Sequence, residues 1–108
     1  MNYLKTEAEV DRFIQQHALS FIYISKENCS VCESLYPQIM EVLQDYEKIN
    51  TAKIVVDELP SIASKFEILT APVLLLFIEG KEYLRHARIV PIDLFRDKIN
   101  ELYHLYYE

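Results

Sequence analysis

The sequence predicts an α/β fold: a mixed four-stranded sheet flanked by four helices. Three observations carry that prediction. Short β-branched and aromatic runs alternate with stretches of helical periodicity, in the order α β α β α β β α. The apolar runs Ser20 to Ile24, Lys53 to Val56 and Pro72 to Ile78 are nearly continuous, as in strands covered on both faces. Glu79-Gly80 then separates the last two strands as a hairpin turn would. No repeat and no linker interrupts residues 1–108, so a single domain is expected.

The elements follow in order. Thr6-Glu7-Ala8-Glu9 is a capping box, with a hydroxyl at the cap and a carboxylate three residues on. Val10, Phe13 and Ile14 share one face of the helix of about ten residues that it opens. The first strand, Ser20 to Ile24, is interrupted by Lys26-Glu27-Asn28. After two cysteines, Leu35, Ile39, Val42, Leu43 and Tyr46 recur at helical spacing and mark the longest helix. Pro37 inside it removes one N–H and should kink it. Lys53 to Val56 is a short strand, Asp57 to Pro60 a turn, and Ser61 to Phe66 a short helix. Pro72 to Ile78 is the strongest strand signal, and a strand from about Lys81 to Arg88 returns beside it. Pro91 suits the first turn of a last helix, whose stripe is Phe95, Ile99, Leu102 and Tyr106. Two strands joined by a long helix imply a parallel βαβ unit. The hairpin adds an antiparallel edge.

Composition excludes several functions. The chain is 51% hydrophobic, with one Gly and four Pro, which is a packed globular composition. Its net charge of −6 argues against a nucleic-acid partner and against adsorption to anionic membranes. Met1 to Gln16 is polar and reads as helix rather than as a secretion signal. A cytoplasmic protein is expected, where stable disulfides are rare and a close cysteine pair is catalytic or metal-binding. A monomer is expected.

The chain has two cysteines, in Cys29-Ser30-Val31-Cys32. They fall after the first strand and at the start of the long helix, where open α/β sheets place their sites. The first turn of a helix offers unpaired N–H groups and partial positive charge, which favour a thiolate at Cys29. Cys32 lies one turn deeper and can close a small ring with it. Cys29 would attack a substrate disulfide and Cys32 would resolve the mixed disulfide. Three other readings stay open at this level. A structural disulfide closing so small a ring restrains little chain. Zinc needs two further ligands, and His17, His86 and His104 include no pair at finger spacing. The cysteines could also simply pack.

Several ordered features then resemble the thioredoxins and thioredoxin-like proteins, along nearly the whole chain. They are Cys29-Ser30-Val31-Cys32, Pro37 five residues beyond, Lys53-Ile54-Val55-Val56-Asp57, Thr70-Ala71-Pro72-Val73 followed by Leu74-Leu75-Leu76-Phe77, and Gly80. The resemblance implies a thioredoxin-like fold and a thiol–disulfide oxidoreductase of the protein disulfide reductase type. Cys29 and Cys32 would be its catalytic residues. It also implies a cis bond before Pro72, facing the cysteines, blocking metal ligation and leaving the backbone of Ala71 to pair with an extended substrate. Substrates would be disulfide-containing proteins. A reductase or small thiol would supply electrons, and no metal or organic cofactor is implied. The alternative is a thioredoxin-like binding or redox-sensing module with weak catalytic activity.

Departures bear on that alternative. Asn28 stands where thioredoxins proper carry tryptophan, and Ser30-Val31 replaces Gly-Pro. Tyr23 stands where the family has a buried aspartate that takes a proton from the second cysteine. Lys53, a water, or a carboxylate such as Glu27 or Glu33 are the candidates to substitute for it, although both glutamates also read as solvated surface charges. Arg88 replaces a groove-lining glycine, and Val90 a polar cap. Arg85-His86-Ala87-Arg88 is a basic cluster in an acidic chain. It reads either as a solvated sheet edge or as part of a groove that favours acidic partners. Tyr103, Tyr106 and Tyr107 read as helix packing.

Overall fold

The computed structural model describes residues 1–108. Its elements are β1 (Asn2–Tyr3), α1 (Glu7–Gln16), β2 (Leu19–Ser25), α2 (Ser30–Leu43), β3 (Asn50–Val55), a 3-10 turn (Val56–Glu58), α3 (Ser61–Lys65), β4 (Val73–Ile78), β5 (Lys81–Ala87) and α4 (Ile92–Tyr107). The sheet runs β1-β3-β2-β4-β5. The first three strands are parallel, while β4 and β5 are antiparallel additions. The parallel unit β2-α2-β3 and the β4-β5 hairpin are those the sequence predicts.

The sheet has five strands, not the expected four. Asn2 and Tyr3 pair with Ala52 and Lys53, and the Leu4 N–H donates to the Lys53 carbonyl at 3.0 Å. Two residues carry no periodicity of their own. They become a strand because β3 offers an open edge of unpaired backbone groups. The polar start of the chain is therefore not all helix, and α1 begins only after Thr6.

Strand alternation sends side chains to two cores. Phe21 and Tyr23 of β2 and Leu74 and Leu76 of β4 meet α2 and α4, through Leu35, Ile39, Phe95 and Ile99. Ile22, Ile24, Leu75 and Phe77 pack with Val10, Phe13 and Ile62 from α1 and α3 on the other face. All of β2 and β4 is buried, which is why both read as continuous apolar runs. Burying one such large side chain stabilises by about 1.5–3 kcal/mol. The predicted long helix stops at Leu43, short of Tyr46. Tyr46 instead bonds the Asn100 side chain of α4 at 2.9 Å. No helix is long and apolar enough to cross a membrane.

Candidate active site

The sheet aims its site at the carboxyl end of β2. After Ser25 the chain leaves the sheet, and Asp57 Oδ1 accepts the Glu27 N–H at 2.9 Å. Asn28 takes a left-handed conformation, φ 54°, which asparagine tolerates better than most residues. That turn delivers Cys29 to the N-cap of α2.

Cys29 and Cys32 are joined as a disulfide, with their Cα atoms 5.3 Å apart. The Cys32 N–H donates to Cys29 Sγ at 3.2 Å, so the cap of this helix is a sulfur atom. Cys29 is 8% exposed and Cys32 1%. The sulfur nearer solvent is thus also the one held by the first turn, where N–H groups and dipole favour negative charge.

Pro72 follows a cis peptide bond from Ala71. It immediately precedes the Val73–Ile24 pair of the β2–β4 ladder, which puts it at the same sheet end as the cysteine loop. Its carbonyl accepts the Arg88 N–H at 2.9 Å, drawing the end of β5 to the same place. Arg88 is exposed and has φ 68°. A left-handed arginine costs roughly 1 kcal/mol relative to glycine.

Tyr23 is fully buried, and its hydroxyl donates to the Cys32 carbonyl at 2.7 Å. Burial pushes its phenol far above the ordinary value, and neighbouring Tyr36 adds to the shift. Tyr36 lies edge-on to it at 5.4 Å. Lys53 is the strand partner of Tyr23, but its ammonium lies 4.7 Å from the Tyr36 ring and 5.6 Å from the Tyr3 ring. Glu27 is exposed, as is Glu33. No carboxylate anywhere in the chain is buried.

A cleft of about 270 Å³ opens beside the cis-proline segment, between Lys26, Asp57, Pro60, Ile68, Thr70 and Ala71. Leu69 on its rim is 99% exposed, and Ile89, next to Arg88, is 87% exposed. Sequence reasoning passed over both residues. The available signal was their position, each an apolar residue one or two places from a predicted site residue in a loop. The three histidines lie apart in the fold. His17 ends α1, His86 sits on β5 beside Phe95, and His104 is in the last turn of α4.

A mixed α/β sheet bearing a dithiol–disulfide pair at a helix N-terminus, with a cis-proline at the same sheet end, defines a thiol–disulfide oxidoreductase. Comparison with known proteins narrows the class. The thioredoxin family model matches residues 2–100. A thioredoxin-like protein of Bacillus subtilis, YdfQ, is 41% identical over 106 residues, covering 98% of this chain and 95% of its own. Thioredoxin-1 of Saccharomyces cerevisiae is 36% identical over 78 residues, covering 72% and 76%. Among solved structures, Plasmodium falciparum thioredoxin superposes with a TM-score of 0.84 at 22% identity, over 94% of this chain and 98% of that one. The chain belongs to the thioredoxin family. It is a thioredoxin-like thiol–disulfide oxidoreductase.

Proposed function

We propose that this chain reduces disulfides in other proteins, with Cys29 as nucleophile and Cys32 as resolving thiol. The observation that carries the reading is the hydrogen bond from the Cys32 N–H to Cys29 Sγ. It singles out the more exposed sulfur as the one whose thiolate the helix stabilises. Cys29 attacks a substrate disulfide and expels one substrate thiolate. Cys32 then loses its proton and attacks Cys29 Sγ, releasing the second thiolate and leaving the internal disulfide. Two electrons pass to the substrate. A reductase or small thiol returns them.

In this reading Ala71 and Pro72 line the substrate groove, and Arg88, whose N–H bonds the Pro72 carbonyl, adds a cation beside it. Extended disulfide-containing protein segments fit such a wall through their main chain. The reading places the protein in the cytoplasm as a monomer, one domain over residues 1–108. Cytoplasmic thiol pools favour the reducing direction.

The reduction potential of the Cys29–Cys32 couple tests this, by equilibration in graded thiol buffers and alkylation of free thiols. A value below about −250 mV is expected for a reductant of this kind. A value above about −200 mV would reassign it to oxidation, isomerisation or sensing. The absence of a buried carboxylate favours a second reading, a binding or redox-sensing module with slow turnover. Cys32→Ser separates the two. An oxidoreductase accumulates substrates as mixed disulfides on Cys29, whereas a module holds the same partners after both cysteines become serine.

A further inference from the structure

Cys32 is held at both ends of its backbone. Its N–H bonds Cys29 Sγ at 3.2 Å, and its carbonyl accepts the Tyr23 hydroxyl at 2.7 Å. The second bond comes from the centre of the sheet, where Tyr23 is locked between Lys53 and Leu74 in the strand ladders and against Tyr36 in α2. A rigid element therefore reaches up to the first turn of the helix that carries both sulfurs. Pro37 denies the Glu33 carbonyl its usual helical donor, so α2 is less well tied by its own ladder near this turn.

The same geometry leaves Cys32 without a buried base. The phenol donates its proton to a carbonyl and remains un-ionised. Lys53 is engaged over the Tyr3 and Tyr36 rings. Glu27 and Glu33 lie on the surface.

We propose that Tyr23 is a positioning residue for the resolving half of the exchange: its hydroxyl holds Cys32 where it can reach Cys29, and the Cys32 proton leaves to the departing substrate thiolate or to water. The inference rests on the oxidoreductase reading above. In the step itself, Cys32–SH loses H⁺ and its sulfur attacks Cys29 Sγ. The Cys29–substrate bond breaks, and the substrate thiolate departs with the electron pair and takes up the proton.

An aromatic disulfide that releases coloured thiolates reads the two steps separately. The first equivalent reports attack by Cys29 and the second reports resolution by Cys32. Tyr23→Phe keeps the ring and removes the hydroxyl. It should slow release of the second thiolate by about two- to tenfold, the worth of one hydrogen bond, and leave the first within about twofold. The wild-type resolution rate should rise with pH through one inflection only. Tyr23→Asp, which puts a carboxylate at the same place, should add a second inflection. Equal slowing of both steps by Tyr23→Phe would make the residue merely structural and overturn the proposal. So would an unchanged second step. A second inflection already present in the wild type would overturn the absence of a buried base, whether or not Tyr23→Asp folds. A wild type that never releases the second thiolate overturns the oxidoreductase reading along with this one. A wild type that does, with Tyr23→Phe as fast, overturns this one alone.

Discussion

At the start of α1 the Thr6 hydroxyl accepts the Glu9 N–H at 3.1 Å, and the Glu9 carboxylate accepts the Thr6 N–H at 3.0 Å. At the start of α2 the Cys29 sulfur accepts the Cys32 N–H at 3.2 Å. Both caps join the residue before the helix to its third residue, and both answer the same need, orphan donors in the first turn. They differ in the acceptor. A threonine hydroxyl stays neutral, so its cap is worth stability and nothing more. A cysteine sulfur can lose a proton or bond to another sulfur, so the same donor becomes part of a reaction. Exposure reinforces the difference. The α1 cap faces solvent, while the α2 cap sits among buried groups with Tyr23 beneath it.

Cys29→Ser breaks the comparison most sharply. Serine is a strong N-cap, so the variant should stay folded and lose, relative to the reduced wild type, only what a charged sulfur adds at the cap. Disulfide turnover should nevertheless fall to background, because an alcohol is no substitute for a thiolate in exchange. Denaturant unfolding and an assay of protein disulfide reduction check the two halves. Residual turnover in this variant would remove Cys29 from the nucleophile's role. Thr6→Ala is the mirror experiment and the next largest effect. It should cost about 1 kcal/mol. That corresponds to a melting temperature lower by roughly 4–8 °C, with kcat and KM for disulfide reduction unchanged.

The two caps were not equally legible in the sequence. Thr6-x-x-Glu9 is local chemistry, so the pattern alone specifies both hydrogen bonds. β2 and β4 were legible for a related reason, since burial on both faces leaves them no polar residue but serine. The α2 cap was legible only as a motif. What surrounds it depends on residues brought together by the sheet. Tyr23 and Cys32 are nine residues apart, and only the packing of α2 on β2 aims the hydroxyl at that carbonyl. Lys53 was a candidate for proton transfer in the sequence, and its strand does run beside Tyr23. Its ammonium turns to aromatic faces, one of which belongs to Tyr3 in a strand too short to foresee. The glycine that the resemblance expects at Arg88 was the one hint of its left-handed backbone, since arginine itself gives none.

Arg88→Gly asks whether the α2 cap acts alone or with a cation beside it. Glycine suits φ 68° better, so the fold should not weaken. Any preference for acidic over neutral disulfide peptides should fall by about two- to fivefold, the range of an exposed charge pair. An unchanged ratio of kcat/KM would assign the Arg85–Arg88 cluster to edge protection.

The smallest effect isolates what the caps do not explain. His86 lies on β5 against Phe95, and its imidazole is held below its ordinary pKa, first by burial and then by the Lys98 ammonium of α4. The unfolded chain therefore binds a proton there more readily than the folded one. Its contribution to stability is present above the unfolded value, about 6.5, and is lost as pH falls through the lower folded value. The oxidised protein has no thiol to titrate. Its unfolding free energy should decline gently from pH 7 to pH 5, and His86→Gln should flatten that decline. The reduced protein carries the same His86 contribution plus whatever the Cys29 thiolate adds at the α2 cap. Subtracting the oxidised profile from the reduced one removes His86 and leaves the cap. A difference that does not vary with pH would mean that no thiolate forms at Cys29 in this range, and that the two helix caps are alike after all.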